Sequence, residues 1–258
     1  MQKSISYNGT DLIICGAEGD PYLQGMVPGD ATNDFYAFAL SRLPQDAVMI
    51  DVGANVGLTA AMAATHGATV YAFEPSPSMV VHLRRTIDAN NIADRVHLAN
   101  CGLSDHNGEL TFFEDQNSGS ASHLVTTSTL ARKSDTRVPV QTLDAFIGQN
   151  DVPRADLIKI DVEGFEIDVL KGAQGTLQRL QPAALIEFNA FTMVGFRDIN
   201  PRDLLRAVRE TFPFVYKWNG APVRIETDED ALTFIHDNLV SAGCVDDLYG
   251  SFVAIDES

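Results

Sequence analysis

Two acidic residues lie at the ends of short apolar runs, on either side of a glycine-rich turn. Asp51 belongs to the run Val48–Val52, which continues through Gly53-Ala-Asn55-Val-Gly57 into a helical pattern, and Glu74 ends a second run 23 residues later. Glycine lets a backbone approach a ligand closely, and an acid at the tip of the second strand can accept hydrogen bonds from ribose hydroxyls. The spacing predicts a nucleoside-binding βαβ unit.

The identity of the nucleoside follows from the charge at this turn. A dinucleotide fingerprint would have a third, middle glycine and a helix N-terminus free to hold pyrophosphate. Here Asn55 occupies the middle position, and Asp51 would repel a pyrophosphate but could hold an ammonium group. S-adenosylmethionine has a ribose and an ammonium and no phosphate, so it is favoured over a nicotinamide dinucleotide.

The rest of the sequence supplies the strands and helices that must position this turn. Apolar runs at 95–100, 155–161 and 182–189 predict further strands, and helical spacing over 76–91, 165–173 and 201–210 predicts the helices between them. Ligands in such α/β sheets lie outside the carboxyl ends of the strands. We therefore expect Asn100, Cys101 and Gly102, which follow the third strand, near an adenine ring, and Pro75 beside Glu74.

Three segments lie outside this regular pattern. We expect residues 1–45 to form an N-terminal cover or lid with a helix over 35–43, and residues 46–258 to form the main body of a single domain.

A polar loop after the strand at 108–113 contains His123, which could serve as a base if it folds over the pocket. The runs at 213–218 and 249–255 are predicted to form an antiparallel closing pair.

Composition limits the partners of the chain. Among its 258 residues, 18 are Lys or Arg and 35 are Asp or Glu, which gives a net charge of −17. Such a surface repels phosphate backbones and anionic lipids, so we expect neither nucleic acid nor a membrane as partner. Three widely spaced cysteines without metal-ligand spacing indicate reduced thiols, and no leader or membrane-length apolar run is found. We expect a cytoplasmic protein, and the sequence says nothing about its oligomeric state.

Several motifs together resemble the FkbM family of methyltransferases. They are Ile-Asp51-Val-Gly-Ala-Asn-Val-Gly57, Phe-Glu74-Pro75, and the most specific block, Lys159-Ile-Asp-Val-Glu-Gly-Phe-Glu166. The resemblance covers about residues 46–190. It implies a class I (Rossmann-like) α/β methyltransferase fold: a seven-stranded, mostly parallel sheet with an antiparallel last strand, helices on both faces and a small β insertion.

The resemblance also implies roles for individual residues. Asp51, Gly53, Asn55 and Gly57 would line the methionine and ribose side of S-adenosylmethionine, and Glu74 would bind the ribose hydroxyls. Asp161 and Glu163 would stand at the mouth of the active site. The family's characterised members methylate hydroxyl oxygens of natural products and sugars.

A carboxylate at a strand end suits the remaining chemistry, because methyl transfer to an alcohol needs an aligned nucleophile and removal of its proton. Our hypothesis is that Asp161 orients or deprotonates the acceptor hydroxyl, with Glu163 and Glu187 alongside. These acids could instead hold a divalent cation, although the sequence contains no other metal-ligand pattern. Two further alternatives are an NAD-dependent oxidoreductase of similar topology and a non-catalytic, donor-binding partner subunit.

Overall fold

The structure is a computed structural model that describes residues 1–25, 34–113, 123–125, 136–241 and 244–255, without the side chains of residues 22, 34 and 123–125. Its strands are β1 Gln2–Tyr7, β2 Thr10–Cys15, β3 Val48–Val52, β4 Thr69–Phe73, β5 Val96–Ala99, β6 Gly102–Leu103, β7 Gly108–Phe113, β8 His123–Val125, β9 Thr136–Gln141, β10 Leu157–Ile160, β11 Ala183–Asn189, β12 Phe214–Trp218, β13 Pro222–Arg224 and β14 Val245–Ser251. Its helices are α1 Pro21–Gly25, α2 Asp34–Ser41, α3 Leu58–Thr65, α4 Pro77–Ala89, α5 Leu143–Gln149, α6 Glu166–Gly172, α7 Gln174–Leu180, α8 Ala190–Arg197, α9 Pro201–Thr211 and α10 Asp228–Val240.

The central sheet has the strand order β13-β12-β14-β11-β10-β3-β4-β5. Strands β3, β4, β5, β10 and β11 are parallel to their neighbours in this set, whereas β14 is antiparallel to both β11 and β12. The class I α/β fold with its antiparallel last strand is confirmed. All five parallel strands direct their carboxyl ends to one edge, which is where the predicted site residues lie.

Two details of the sheet differ from the prediction. The sheet contains eight strands, because the chain reverses after β12 at Gly220, whose φ is +71°, and β13 then pairs antiparallel with β12. The closing strand begins at Val245, four residues before the predicted start at 249. Acidic residues obscured this start: Asp246 and Asp247 read as part of a loop but lie at the polar, carboxyl edge of the sheet.

Each face of the sheet is covered by its own apolar layer. One layer joins α2, α3 and α4 to the β1–β2 hairpin, and the other joins α5, α6, α7, α9 and α10. Side chains alternate between the layers along each strand, so that Met49 and Leu157 face one layer while Ile50 and Ile158 face the other. This alternation decides which polar side chains share a face at the site.

The N-terminal segment packs against the main body through specific contacts. The main-chain N–H of Ile13 donates to Asn90 Oδ1 at 2.9 Å, and that of Cys15 donates to Thr86 Oγ1 at 3.0 Å, both on or next to α4. In α2, the ring of Phe35 stacks on Trp218 with centroids 5.1 Å apart. The role of residues 1–45 as a cover or lid stays a prediction.

The predicted insertion forms a separate four-stranded sheet of order β6-β9-β7-β8. His123 begins β8, but its side chain lies outside the described part of the structure, as do residues 114–122. The hypothesis that His123 serves as a base therefore stays a prediction. Within the described ranges, no helix has the length and apolar character needed to span a bilayer.

Candidate active site

Three of the residues predicted to bind S-adenosylmethionine form one hydrogen-bonded group at the tips of β3 and β4. The carboxylate of Glu74 accepts from the main-chain N–H of Asn55 at 2.8 Å and from that of Ser76, also at 2.8 Å. The main-chain N–H groups of Gly53 and Ala54 both donate to the carbonyl of Phe73 at 3.0 Å. These bonds fix the glycine turn against the end of β4, so Gly53, Asn55 and Glu74 are brought together as predicted.

The electrostatics of Glu74 are set mainly by its burial. Burial raises the pKa of Glu74 to about 7, against the opposing effect of the N–H donors of Ser76 and Asn55 and of the nearby Lys159 ammonium. The carboxylate is thus held in a fixed orientation and loses its charge near neutral pH. A hydroxyl donor that binds the carboxylate would favour the charged form.

Asn55 carries a second feature suited to a ligand. Its φ of 49° places it in the left-handed region, which an asparagine tolerates better than most residues. Its Oδ1 atom is buried and lacks a hydrogen-bond partner among the described residues. A buried acceptor without a donor is costly, so this atom is available for a donor group of a bound nucleoside.

The predicted residues near the third strand occupy three different environments. Asn100 is exposed, and its side-chain amide donates to the carbonyls of Glu74 at 2.9 Å and of Pro75 at 3.3 Å. Cys101 is buried, accepts from Gln141 Nε2 at 3.1 Å, and has a pKa raised by burial. Gly102 is buried in β6. Asn100 therefore ties the end of β5 to the segment that follows β4, and Cys101 is a buried thiol.

Gly57 and Asp51 lie deeper than their neighbours in the motif. Gly57 caps α3 with a φ of 88°, a conformation that favours glycine, and a Cβ there would also lie 2.2 Å from Leu83 Cδ1 of α4. The Asp51 side chain is 0% exposed and 3.3 Å from Lys159 Nζ. Burial raises the pKa of Asp51, and Lys159 opposes that rise. Asp51 faces Lys159, beneath the turn.

The three predicted catalytic acids converge at the ends of β10 and β11. Carboxylate oxygens of Asp161, Glu163 and Glu187 all lie within 4.8 Å of one another. The register explains the convergence: Lys159 of β10 pairs with Leu185 of β11, so Asp161 and Glu187 come next on the same face. Glu163 reaches the group because the turn places it in a left-handed conformation, with φ 54°.

The proximity of these acids makes proton sharing the main electrostatic feature of the site. Burial, followed by the charges of Asp161 and Glu166, raises the pKa of Glu163 to about 8. Burial and the same neighbours, together with Glu163, raise the pKa of Glu187 well above its usual range. Like charges this close disfavour simultaneous ionisation, so at neutral pH the group holds at least one proton.

Sequence reasoning missed three residues that shape this site. Lys159 Nζ lies 3.2 Å from Asp161 Oδ2 and donates to the carbonyl of Gly53 at 2.9 Å. Glu166 accepts from the main-chain N–H groups of Val162 and Gly164, both at 3.1 Å, and so orders the turn that follows β10. Asp247 is opposite Glu187 in the β11–β14 register. The sequence offered one signal for these three residues, which is that Lys159 lies within an apolar strand. A lysine is rarely buried unless it is paired, so its position indicates nearby acids.

A cleft elsewhere on the surface contains none of the predicted site residues. It has a volume of about 560 Å³ and lies between α5 and α7. Its lining includes Asp144, which caps α7 by accepting from the N–H groups of Gly175 and Thr176. The chemistry-bearing residues therefore concentrate at the carboxyl edge of the sheet, not in this cleft.

Comparison with known proteins yields matches to methyltransferases. Residues 51–218 match the Methyltransferase FkbM domain. Hexuronic acid methyltransferase AglP of Haloferax volcanii is 27% identical over 199 residues, covering 76% of this chain and 74% of that protein. The 2-O-methyltransferase NoeI of Sinorhizobium fredii is 27% identical over 149 residues, covering 52% of this chain and 60% of that protein.

One solved structure similar to this chain is that of a methyltransferase FkbM from Methylobacillus flagellatus. The two chains are 18% identical, with a TM-score of 0.49, and the match covers 81% of this chain and 45% of that one. The match to the family domain ends at residue 218, the last residue of β12. It therefore extends beyond residues 46–190, which contain the motifs that resemble the family.

Proposed function

Because the chain belongs to the FkbM family of methyltransferases, we propose that it methylates a hydroxyl oxygen of a small-molecule, saccharide or natural-product acceptor. The observation that carries this proposal is the convergence of Asp161, Glu163 and Glu187 next to the glycine turn 53–57, which we call the donor turn. The family uses S-adenosylmethionine, and its members here include relatives named for a hexuronic acid and for 2-O transfer. Those names favour a saccharide hydroxyl as the acceptor.

The residues at the tips of β3 and β4 fit S-adenosylmethionine. Glu74 offers a fixed carboxylate to the ribose hydroxyls, and Asn55 offers a buried, unpartnered oxygen. Asn100, after β5, donates to the carbonyls of Glu74 and Pro75, and Cys101 and Gly102 follow it into β6. When bound, S-adenosylmethionine supplies a methyl group that is already activated towards a nucleophile.

The protein's own contribution to the reaction is to position the acceptor and remove its proton. Asp161 is the acid of the group that contacts a cation, at 3.2 Å from Lys159 Nζ, and this contact fixes the position of its side chain. In this role Asp161 accepts the hydroxyl proton of the acceptor. Glu163 and Glu187, when protonated, can donate hydrogen bonds to neighbouring oxygens of the acceptor.

A divalent cation is an alternative use of the same three acids, since hard cations take carboxylate oxygens. Lys159 already provides positive charge beside Asp161. We therefore expect turnover to survive dialysis against EDTA. Loss of turnover that returns with Mg²⁺ would favour the cation instead.

The experiment that tests the proposal is incubation with methyl-labelled S-adenosylmethionine and a panel of neutral sugars, uronic acids and polyketide alcohols. Label in a methyl ether of one acceptor class is the expected result. Binding of S-adenosylhomocysteine without transfer to any acceptor would favour a non-catalytic partner subunit. Hydride transfer with NAD would favour the oxidoreductase alternative, which family membership disfavours.

A further inference from the structure

One buried ammonium group connects the donor side of the site to the acceptor side. Lys159 is 4% exposed, in the middle of β10. Its Nζ atom donates to the carbonyl of Gly53 at 2.9 Å and lies 3.3 Å from Asp51 Oδ1 and 3.2 Å from Asp161 Oδ2. Gly53 belongs to the donor turn, Asp51 lies beneath that turn in β3, and Asp161 is the proposed base.

The sheet register produces this arrangement. Lys159 pairs directly with Asp51 across the parallel β10–β3 ladder, so both side chains project from the same face. Asp161 follows Lys159 by two residues, and its main-chain N–H donates to the carbonyl of Val52 at 3.1 Å. The ammonium is therefore held between two strands whose ends carry the two halves of the site.

We propose that Lys159 is the positioning residue of this active site, holding the side chain of Asp161 in place against the donor turn. This inference rests on the proposed function, in which Asp161 is the base. It assigns Lys159 a role in the reaction through Asp161, without contact with the acceptor.

A cation is needed at this point because many acids surround it. Among the described residues, the titratable groups that face Lys159 or its partners are Asp51 of β3, Glu74 after β4, Asp161, Glu163 and Glu166 after β10, Glu187 of β11 and Asp247 of β14. Without the ammonium, the side chain of Asp161 would face these acids without the cation that contacts it at 3.2 Å. Like charges repel, so the proposed base would no longer be held where it can reach the acceptor hydroxyl.

A purely structural role for Lys159 makes a different prediction. A buried ion pair contributes little net stability compared with apolar residues of similar volume, whereas removal of one partner leaves the other charge unpaired. If Lys159 only supported packing, its loss would lower kcat equally whether or not Asp161 is present. If it acts through Asp161, its loss should lower kcat only while Asp161 is present.

The test is a double-mutant cycle on kcat with Lys159→Met and Asp161→Asn, with the exposed Lys171→Met of α6 as the matched control. We expect Lys159→Met to lower kcat at least about tenfold in the wild-type background. In the Asp161→Asn background the same change should lower kcat by less than about threefold, because Lys159 then has no proposed base to position. Calorimetric affinity for S-adenosylhomocysteine should change by less than about threefold, and Lys171→Met should match the wild type.

Three outcomes would overturn the inference: an unchanged kcat in Lys159→Met, an equal fall in kcat in both backgrounds, or loss of S-adenosylhomocysteine binding in Lys159→Met. If that variant does not fold, Asp51→Asn combined with Lys159→Met removes one buried acid together with the cation and carries the same test. Absence of methyl transfer by the wild type would instead contradict the proposed function, so the two failures are distinguishable.

Discussion

A Cβ atom built on Gly53 would lie 1.8 Å from the main-chain oxygen of Asp161. The turn that follows β3 and the turn that follows β10 are therefore in direct backbone contact. Gly53 also has a φ of +80°, a conformation that a side chain makes costly. The donor turn and the proposed catalytic carboxylate thus share one rigid junction, and neither can move without the other.

Replacement of Gly53 should disturb both halves of the site. Gly53→Ala should lower the free energy of unfolding by at least about 2 kcal/mol, because the added methyl group strains φ and displaces the Asp161 carbonyl. Affinity for S-adenosylhomocysteine should fall with it. Urea unfolding and calorimetric titration measure these two effects.

Gly148→Ala is the matched control for this substitution. Gly148 is in α5, and a Cβ there meets no atom within 4 Å. That variant should keep wild-type stability or gain up to about 1 kcal/mol. Equal stabilities for the two variants would contradict the shared junction.

Glu74 should determine donor affinity. Glu74→Gln removes the charge that would accept ribose hydroxyls, and hydrogen bonds to charged groups contribute about 1.5–3 kcal/mol. Calorimetry with S-adenosylhomocysteine at pH 8, above the pKa of about 7 for Glu74, should therefore show a roughly 10- to 100-fold weaker affinity. The exposed Glu109→Gln is the control. An unchanged affinity in Glu74→Gln would remove Glu74 from the donor site.

Asp161 should affect turnover and spare donor binding. Asp161→Asn keeps the size of the side chain but cannot accept a proton, and general bases contribute about 10²- to 10⁴-fold in rate. We expect a fall in kcat of that order, with affinity for S-adenosylhomocysteine within about threefold of wild type. The exposed Asp203→Asn of α9 should be fully active. Near-normal turnover in Asp161→Asn would show that another group is the base.

Glu166 should make stability depend on pH in a defined direction. Burial raises its pKa to about 7, above the ordinary 4.5, so the native state binds the proton more tightly than the unfolded chain does. The stability that this provides is fully present below about pH 4.5 and is lost as pH rises through about 7. Acid conditions therefore favour the folded state at this residue.

Substitution with glutamine isolates that effect. In Glu166→Gln the side-chain oxygen can still accept from the N–H groups of Val162 and Gly164, but it no longer titrates. Relative to wild type, the variant should gain about 1–3 kcal/mol in the free energy of unfolding between pH 5 and pH 8. Urea unfolding at both pH values provides the measurement, and an identical pH dependence in the two proteins would refute it.

The parts of the molecule that follow local patterns could be predicted from the sequence. Local structure follows directly from the apolar runs at β3, β4 and β10. It also follows from the serine and proline at the start of α4, where Ser76 Oγ accepts from the N–H of Met79 at 3.2 Å. The acids at strand ends were found because parallel strands bring their carboxyl ends to one edge. Their convergence follows from topology.

The parts that depend on register could not be predicted. Lys159 is opposite Asp51 because β10 and β3 pair at one register among several possible ones. Asp247 lies beside the acids because β14 inserts between β11 and β12. It was not predicted because the acidic first residues of β14 have the composition of a loop. The eighth strand depends on one turn at Gly220. Long-range pairing, not local propensity, decides each of these features.

The most direct test of the account is calorimetric titration of the wild-type protein with S-adenosylhomocysteine, with NAD as the control ligand. The geometry of Glu74, Asn55 and Gly53 predicts micromolar binding of S-adenosylhomocysteine and none of NAD. No binding of S-adenosylhomocysteine, or a preference for NAD, would contradict the assignment of this turn as the methyl-donor site.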